Sequence, residues 1–239
     1  MSLELPDDLT QLTTCADHDA LAEALAASVA DDLRAALAER GRAVLALSGG
    51  TTPVRFFQAL AEQPLPWKQV AVTLVDERWV DESHARSNAA LVRQHLMYGA
   101  AAVASFLPLY RDYGDGPEQS LPELETELAQ LPLPLDVAVL GMGNDGHTAS
   151  FFPGGDWLER ALDPTGSARV LPMHAEAAGE PRITLTLPVL VSARHLYLHI
   201  EGEQKAQVLQ QALAAADAPP IAAVLRAAAR TPVRTFWCP

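Results

Sequence analysis

Ala43-Val44-Leu45-Ala46-Leu47 followed by Ser48-Gly49-Gly50-Thr51-Thr52-Pro53 is the stretch that decides the fold. Five unbroken apolar residues suit a strand buried on both faces, the environment of a parallel sheet. The glycines and hydroxyl residues after it form a turn, and Pro53 is placed to open a helix at its first position. Just upstream, residues 17–40 carry Leu21, Leu25, Val29, Leu33 and Leu37 at four-residue spacing, one apolar stripe of a long helix that Gly41 can stop. Helix, buried strand, glycine turn and helix in succession read as an α/β unit.

The pattern continues along the chain. VAVTLV (residues 70–75) and LDVAVL (135–140) are two further buried strands, while RITLTL (182–187) and HLYLHI (195–200) read as later ones. Helices are expected over residues 88–96, with Ser87 as cap, and over 122–131, 203–213 and 221–229. Residues 106–119, rich in Pro, Gly and Asp, read as a strand end and loop, and the tail VRTFWC as an edge strand. The expectation is one α/β domain over residues 1–239, with a mostly parallel sheet and helices on both faces. In such sheets ligands collect beyond the C-terminal strand ends, and the polar motifs of this chain fall there.

Composition bounds the function. A chain of 239 residues can bury roughly 70% of its unfolded surface, so it needs no disulfide or metal to fold. Its formal charge of −13, from 17 Lys+Arg and 30 Asp+Glu, disfavours nucleic acid and anionic membranes as partners. A small phosphorylated ligand remains compatible, because it needs only a local cluster of donors and cations. The N-terminus MSLELPDDLT has no basic-then-apolar run, and no stretch approaches the ~18 apolar residues of a membrane span. Cys15 and Cys238 are sparse and form no CxxC pair. A cytoplasmic enzyme is expected, and the Ala-rich helices, lacking a clear apolar seam, suggest a monomer.

Three constellations carry candidate chemistry. Gly49 and Gly50 let backbone approach an anion, while Ser48 and Thr51 add hydroxyls beside the next helix's free amides. The loop matches neither the Walker nor the dinucleotide fingerprint, and a ligand-free tight turn is its alternative reading. Asp76-Glu77-Arg78 leaves the second strand as three consecutive charges that are costly to bury. It is either a solvated loop or a place where Arg78 clamps an anion and Asp76 acts as an acid/base or orienting group.

The third constellation is Gly141-Met142-Gly143-Asn144-Asp145-Gly146-His147. Amides of Gly141, Gly143 and Gly146 are candidates for meeting an oxyanion. His147 is the candidate for proton transfer, since an imidazole titrates at about 6.5, with Asp145 two residues away. The other six histidines read as structural or merely exposed. Arg182 and Lys205, on spacing alone, read as ordinary surface charges. No Cys/His/Asp grouping has metal-ligand spacing and no GxSxG elbow is present.

LSGGTTP (residues 47–53), VDERWV (75–80), SNAALVRQHL (87–96), LGMGNDGHTASFFPG (140–154), PRITLTLPVL (181–190) and GEQKAQVL (202–209) together resemble the 6-phosphogluconolactonase family. That resemblance implies cofactor-free, metal-free hydrolysis of a sugar-phosphate lactone in the oxidative pentose phosphate pathway. It also implies a phosphate held by Ser48, Gly49, Gly50 and Thr51 with help from Arg78, Arg182 and Lys205. Glucosamine-6-phosphate deaminases share the scaffold. They carry a glutamate five residues after the loop histidine, where this chain has Phe152, and an aromatic residue at the position of Arg78. His147 is then expected to be the general base, with Asp145 or Asp76 orienting it.

Overall fold

The computed structural model describes residues 3, 5–112, 116–215, 218–228 and 232–239. In chain order these form β1 (Thr10–Thr14), α1 (His18–Arg40), β2 (Ala43–Leu47), α2 (Val54–Ala61), β3 (Val70–Leu74), β4 (Asp76–Arg78) and α3 (Asn88–His95). Then come β5 (Ser105–Leu107), α4 (Leu121–Leu128), β6 (Val137–Leu140), α5 (Leu158–Ala161), β7 (Val170–Met173), β8 (Arg182–Leu185) and α6 (Leu187–Val191). The chain closes with β9 (His195–Glu201), α7 (Glu203–Ala214), α8 (Pro220–Ala227) and β10 (Val233–Cys238). Parts of three expected elements, residues 113–115, Ala229 and the first residues of the N-terminus, lie outside the described residues.

Seven strands make one parallel sheet in the order β1-β10-β9-β6-β2-β3-β5. β2 is buried at all five positions and β9 from Leu196 to Ile200, so the middle of the sheet is covered on both faces, as the unbroken apolar runs require. The helix α1 is built as its stripe foretells. Asp17 accepts from the Ala20 amide as N-cap, Gly41 takes the left-handed C-cap at φ 70°, and Leu21, Leu25, Val29, Leu33 and Leu37 are all buried. Each such side chain contributes about 1.5–3 kcal/mol on burial.

The strand order has a direct consequence for function. From β2 the chain moves outward to β3 and β5, then returns to the other side of β2 at β6 and continues to β9 and β10. β2 and β6 therefore flank the point where the winding reverses, and the crevice beyond their C-terminal ends is where such sheets bind ligands. The Ser48 loop leaves one of these strands and the His147 loop leaves the other.

One sequence expectation is completed and one is corrected. RITLTL does not join the main sheet: β8 pairs antiparallel with both β4 and β7 in a separate three-stranded sheet, and the chain turns into α6 after it. The tail strand β10 is interior, because the unforeseen β1 covers it on its outer side. The Asp-Glu-Arg segment, for which a solvated loop was one reading, is the strand β4 with Asp76 and Glu77 buried.

Candidate active site at the switch point

A cavity of about 190 Å³ opens at the ends of β2 and β6. Its wall includes Ser48, Gly49, Gly50, Thr51 and Thr52 from the β2 loop, Gly141, Met142, Gly143 and His147 from the β6 loop, and Asp76, Arg78, Asn88, Arg182, His199 and Lys205. The two loops thus face one space. Asp145 and Gly146 are not among the residues that line it.

The β2 loop is shaped for close approach. Gly50 has φ 98°, and any side chain on Gly49 would collide with the Asn88 amide, which packs against it. Among the described residues, the amides of Gly49 to Thr52 donate to no backbone acceptor. They lead into α2, whose N-terminus favours an anion. Lys205, at the start of α7, reaches the same loop, its Nζ donating to Thr52 Oγ1 at 3.3 Å. Burial lowers the affinity of this ammonium for its proton, opposed by the Glu201 carboxylate.

Arg78 and Arg182 are register partners on β4 and β8, so two guanidinium groups leave adjacent strands toward the cavity. Arg182 is only 5% exposed, which overturns its reading as a surface charge. Burial, and then the Arg78 charge, weaken its hold on its proton, while Asp76 and Glu180 support it. With Lys205 the wall carries three fixed cations against one carboxylate, Asp76, in a chain whose formal charge is −13. Among the described residues, Ser48 Oγ, Asn88 Oδ1, Arg78 Nε and Arg182 Nε are buried without a hydrogen-bond partner, and all four belong to residues of this wall. Unsatisfied polar atoms concentrated at one cavity mark a ligand site.

His147 is positioned from three sides. Asp145 Oδ1 lies 2.5 Å from its Nδ1 and also accepts from its backbone amide at 3.2 Å. An ionised carboxylate only accepts, so Nδ1 carries hydrogen, and in the neutral ring the lone pair is on Nε2. Partial burial raises the Asp145 pKa, but the His147 charge and hydrogen bonds outweigh it and the net shift is downward. Phe152 stacks on the imidazole at 4.2 Å between centroids, with the Arg182 guanidinium 5.2 Å from the same ring. Gly143 fills the third side: a Cβ there would lie 2.2 Å from His147 Cε1.

Asp76 belongs to a different group. It accepts from Ser150 Oγ at 2.6 Å and lies 3.9 Å from Arg182 Nη1. Between Asp145 and Asp76, the carboxylate in contact with the imidazole is therefore Asp145. Of the three loop amides expected to meet an oxyanion, those of Gly143 and Gly146 are already engaged, while Gly141 lines the cavity. Gly143 N–H donates to His147 O at 2.9 Å and Gly146 N–H to Gly143 O at 3.1 Å, so both are committed to holding the loop. Gly146, at φ 77° against Pro219, is a turn residue.

Sequence reasoning missed several participants. Glu77 is fully buried and accepts from the amides of Arg78, Asn88 and Ala89 at 2.7–2.8 Å, which ties β4 to the start of α3 and sets Asn88 against the β2 loop. Burial pushes its carboxyl up to about 7 against those bonds. His199, expected to be structural, lines the cavity. Among the described residues no group of three or more His, Cys, Asp or Glu could hold a metal, both cysteines are free thiols, and no helix is long and apolar enough to cross a membrane.

The model of the glucosamine-6-phosphate isomerases/6-phosphogluconolactonase family matches residues 16–237. The chain belongs to this family. A 6-phosphogluconolactonase of Mesorhizobium japonicum is 53% identical over 93% of both chains, and one of Pseudomonas aeruginosa is 49% identical over 91% of this chain and 90% of its own. The crystal structure of a 6-phosphogluconolactonase from Shewanella baltica superposes with a TM-score of 0.92 at 41% identity, covering 96% of this chain and 98% of that one.

Proposed function

We propose that this cavity hydrolyses 6-phospho-D-glucono-1,5-lactone to 6-phospho-D-gluconate, the lactone step of the oxidative pentose phosphate pathway, without cofactor or metal. One observation carries the reading: an anion cradle rich in amides and cations and a carboxylate-held imidazole face each other across one space at the switch point. The names of the relatives at 49–53% identity agree with it. A phosphate monoester carries about −1.5 to −2 charge near neutral pH, which Lys205, Arg78 and Arg182 with the Gly49–Thr52 amides can balance.

With the phosphate end anchored, the lactone carbonyl carbon faces His147. Nε2 removes a proton from a water as its oxygen bonds to C1. Negative charge develops on the carbonyl oxygen. Gly143 and Gly146 spend their amides inside the loop, so the Gly141 amide and a cation of the wall are left to meet that charge; the nearness of Arg182 to the Phe152 ring that stacks on His147 supports Arg182 as that cation. The tetrahedral intermediate collapses by breaking the bond from C1 to the ring oxygen, which takes the proton from the imidazolium. Asp145 holds the ring and balances its transient charge throughout. A lactone is an activated ester, so no covalent nucleophile is needed.

The deaminase chemistry of the same family needs more acid/base groups, and the position of its additional carboxylate is occupied here by Phe152, stacked on the imidazole. One assay separates the two. Lactone generated in situ by glucose-6-phosphate dehydrogenase should disappear far faster with the protein than without it, and glucosamine 6-phosphate should release no ammonia. A lactone decay equal to the spontaneous rate, or ammonia release, overturns the proposal.

A further inference from the structure

His199 lines the same cavity as His147. It is 3% exposed, on β9, and its ring meets Phe56 of the first turn of α2 edge-on at 6.1 Å. That places it beneath the helix whose N-terminus forms the anion cradle. Its Nε2 lies 3.0 Å from Glu201 Oε1, and the second oxygen of Glu201 lies 3.0 Å from Nδ1 of the half-exposed His18 on α1. Among the described residues, the Nδ1 of His199 has no hydrogen-bond partner.

We infer that His199 is a further anion-binding residue of this site, held on Nε2 by Glu201 and taking up a proton on Nδ1 as the phosphoryl end of a ligand binds. The inference rests on the sugar-phosphate reading only for the ligand's identity, since the cradle itself calls for a phosphoryl anion. The Glu201 carboxylate accepts, so Nε2 carries hydrogen and a neutral ring leaves a lone pair on Nδ1. A lone pair facing phosphate oxygens is repulsive, whereas a protonated Nδ1 donates a charge-assisted bond. Burying the resulting imidazolium is tolerable because Glu201 already neutralises it.

The surroundings fit that assignment. Glu201 lies on the same strand, Lys205 follows on α7, Arg55 on α2 pairs with Asp19, and His18 faces from α1. Cys238 on β10, 3.4 Å from the His18 ring, has its thiol pushed up to about 11, first by burial and then by Glu201, and stays neutral. Glu201 is partly buried, which disfavours its anion, yet its bonds and proximity to His199 and then to His18 and Arg55 hold its pKa below the ordinary value.

Calorimetry of 6-phosphogluconate binding near pH 7, in two buffers of different ionisation enthalpy, counts the protons taken up. Proton uptake should be clear in the wild type and reduced in His199→Gln, with Kd and KM raised about tenfold and kcat within about threefold. Glu201→Gln, which removes the countercharge at constant size, should lower the uptake as well. A residue that only packs against Phe56 would change thermal stability and leave uptake and Kd alone. Should His199→Gln fail to fold, the wild-type imidazole resonances decide: adding inorganic phosphate should shift the His199 ring signals toward the imidazolium form. Uptake and Kd unchanged in both variants, or His199 resonances indifferent to phosphate, refutes the inference. Phosphate-linked protonation in a protein that leaves the lactone untouched would instead sink the substrate assignment and keep this one.

Discussion

Replacing Gly143 by alanine tests how tightly the imidazole is held, and the size of its effect can be worked out from the geometry. Gly143 has an ordinary backbone conformation, so the perturbation is the methyl group itself. That methyl would stand 2.2 Å from His147 Cε1, while ordinary contact begins at 3.4 Å, so ring or loop must yield by about 1.2 Å. The loop cannot yield freely. Gly143 N–H is bonded to His147 O, Thr148 Oγ1 to Gly141 O, and Gly146 O to the Ile221 amide. Phe152 blocks retreat on the stacked face, and the ring therefore moves relative to Asp145 and the substrate. A displacement near 1 Å costs on the order of 10²-fold in rate. Gly143→Ala should lower kcat about a hundredfold in the lactone-decay assay, with KM within about threefold and the thermal midpoint lowered only slightly. The loss should vanish in the His147→Asn background, because the methyl then has no catalytic base to displace. A kcat within threefold of wild type, or equal losses in both backgrounds, would refute the reasoning.

The cations should act on binding more than on turnover. Lys205→Ala removes the ammonium bonded to Thr52 and should raise KM at least tenfold, read from initial rates, with kcat little changed. Arg182→Ala should raise KM and, through the developing oxyanion, also depress kcat. Unchanged KM in both variants would mean that the phosphate lies elsewhere. Glu77 carries a pH signature in stability. Its folded pKa, pushed up to about 7 from an ordinary 4.5, means that the folded state holds the proton more tightly than the unfolded chain. Its contribution is therefore full below about 4.5 and declines as pH rises through 7. Thermal melts of wild type and Glu77→Gln should show the wild type losing ground relative to the variant across that window, and a difference independent of pH would contradict the shift.

The centre of the fold was legible because its strands speak one language. AVLAL, VAVTLV and LDVAVL are unbroken apolar runs, and such runs belong between two helical layers. The peripheral strands were not. β1 (TQLTT) is a polar edge strand, and β7 (VLPM) contains Pro172, so neither carries a periodicity that separates it from loop. β4 is three charged residues. It becomes a strand only because Glu77 finds the α3 amides and Asp76 finds Ser150, partners that no local pattern reveals. RITLTL is legible as a strand, but its place in a second sheet is not, since one of its partners is that charged segment.

At the site, glycine content and strand-end position singled out the Ser48 and His147 loops, and both reach the cavity. What spacing could not supply was which amides are already spent. Gly143 and Gly146 read as open donors until their acceptors are known. His199 did leave a trace: in HLYLHIE, alternation places His199 and Glu201 on one face of β9, two positions apart, which is the spacing of the bond they form.

The role of His147 as general base is the claim on which the mechanism stands, and steady-state turnover of His147→Asn tests it most directly. Asparagine keeps a polar group of similar reach and removes the titrating nitrogen. Because general-base catalysis contributes about 10²–10⁴-fold, kcat for lactone hydrolysis should fall within that range while KM changes little. A folded His147→Asn protein that retains more than a tenth of the wild-type kcat would contradict the assignment.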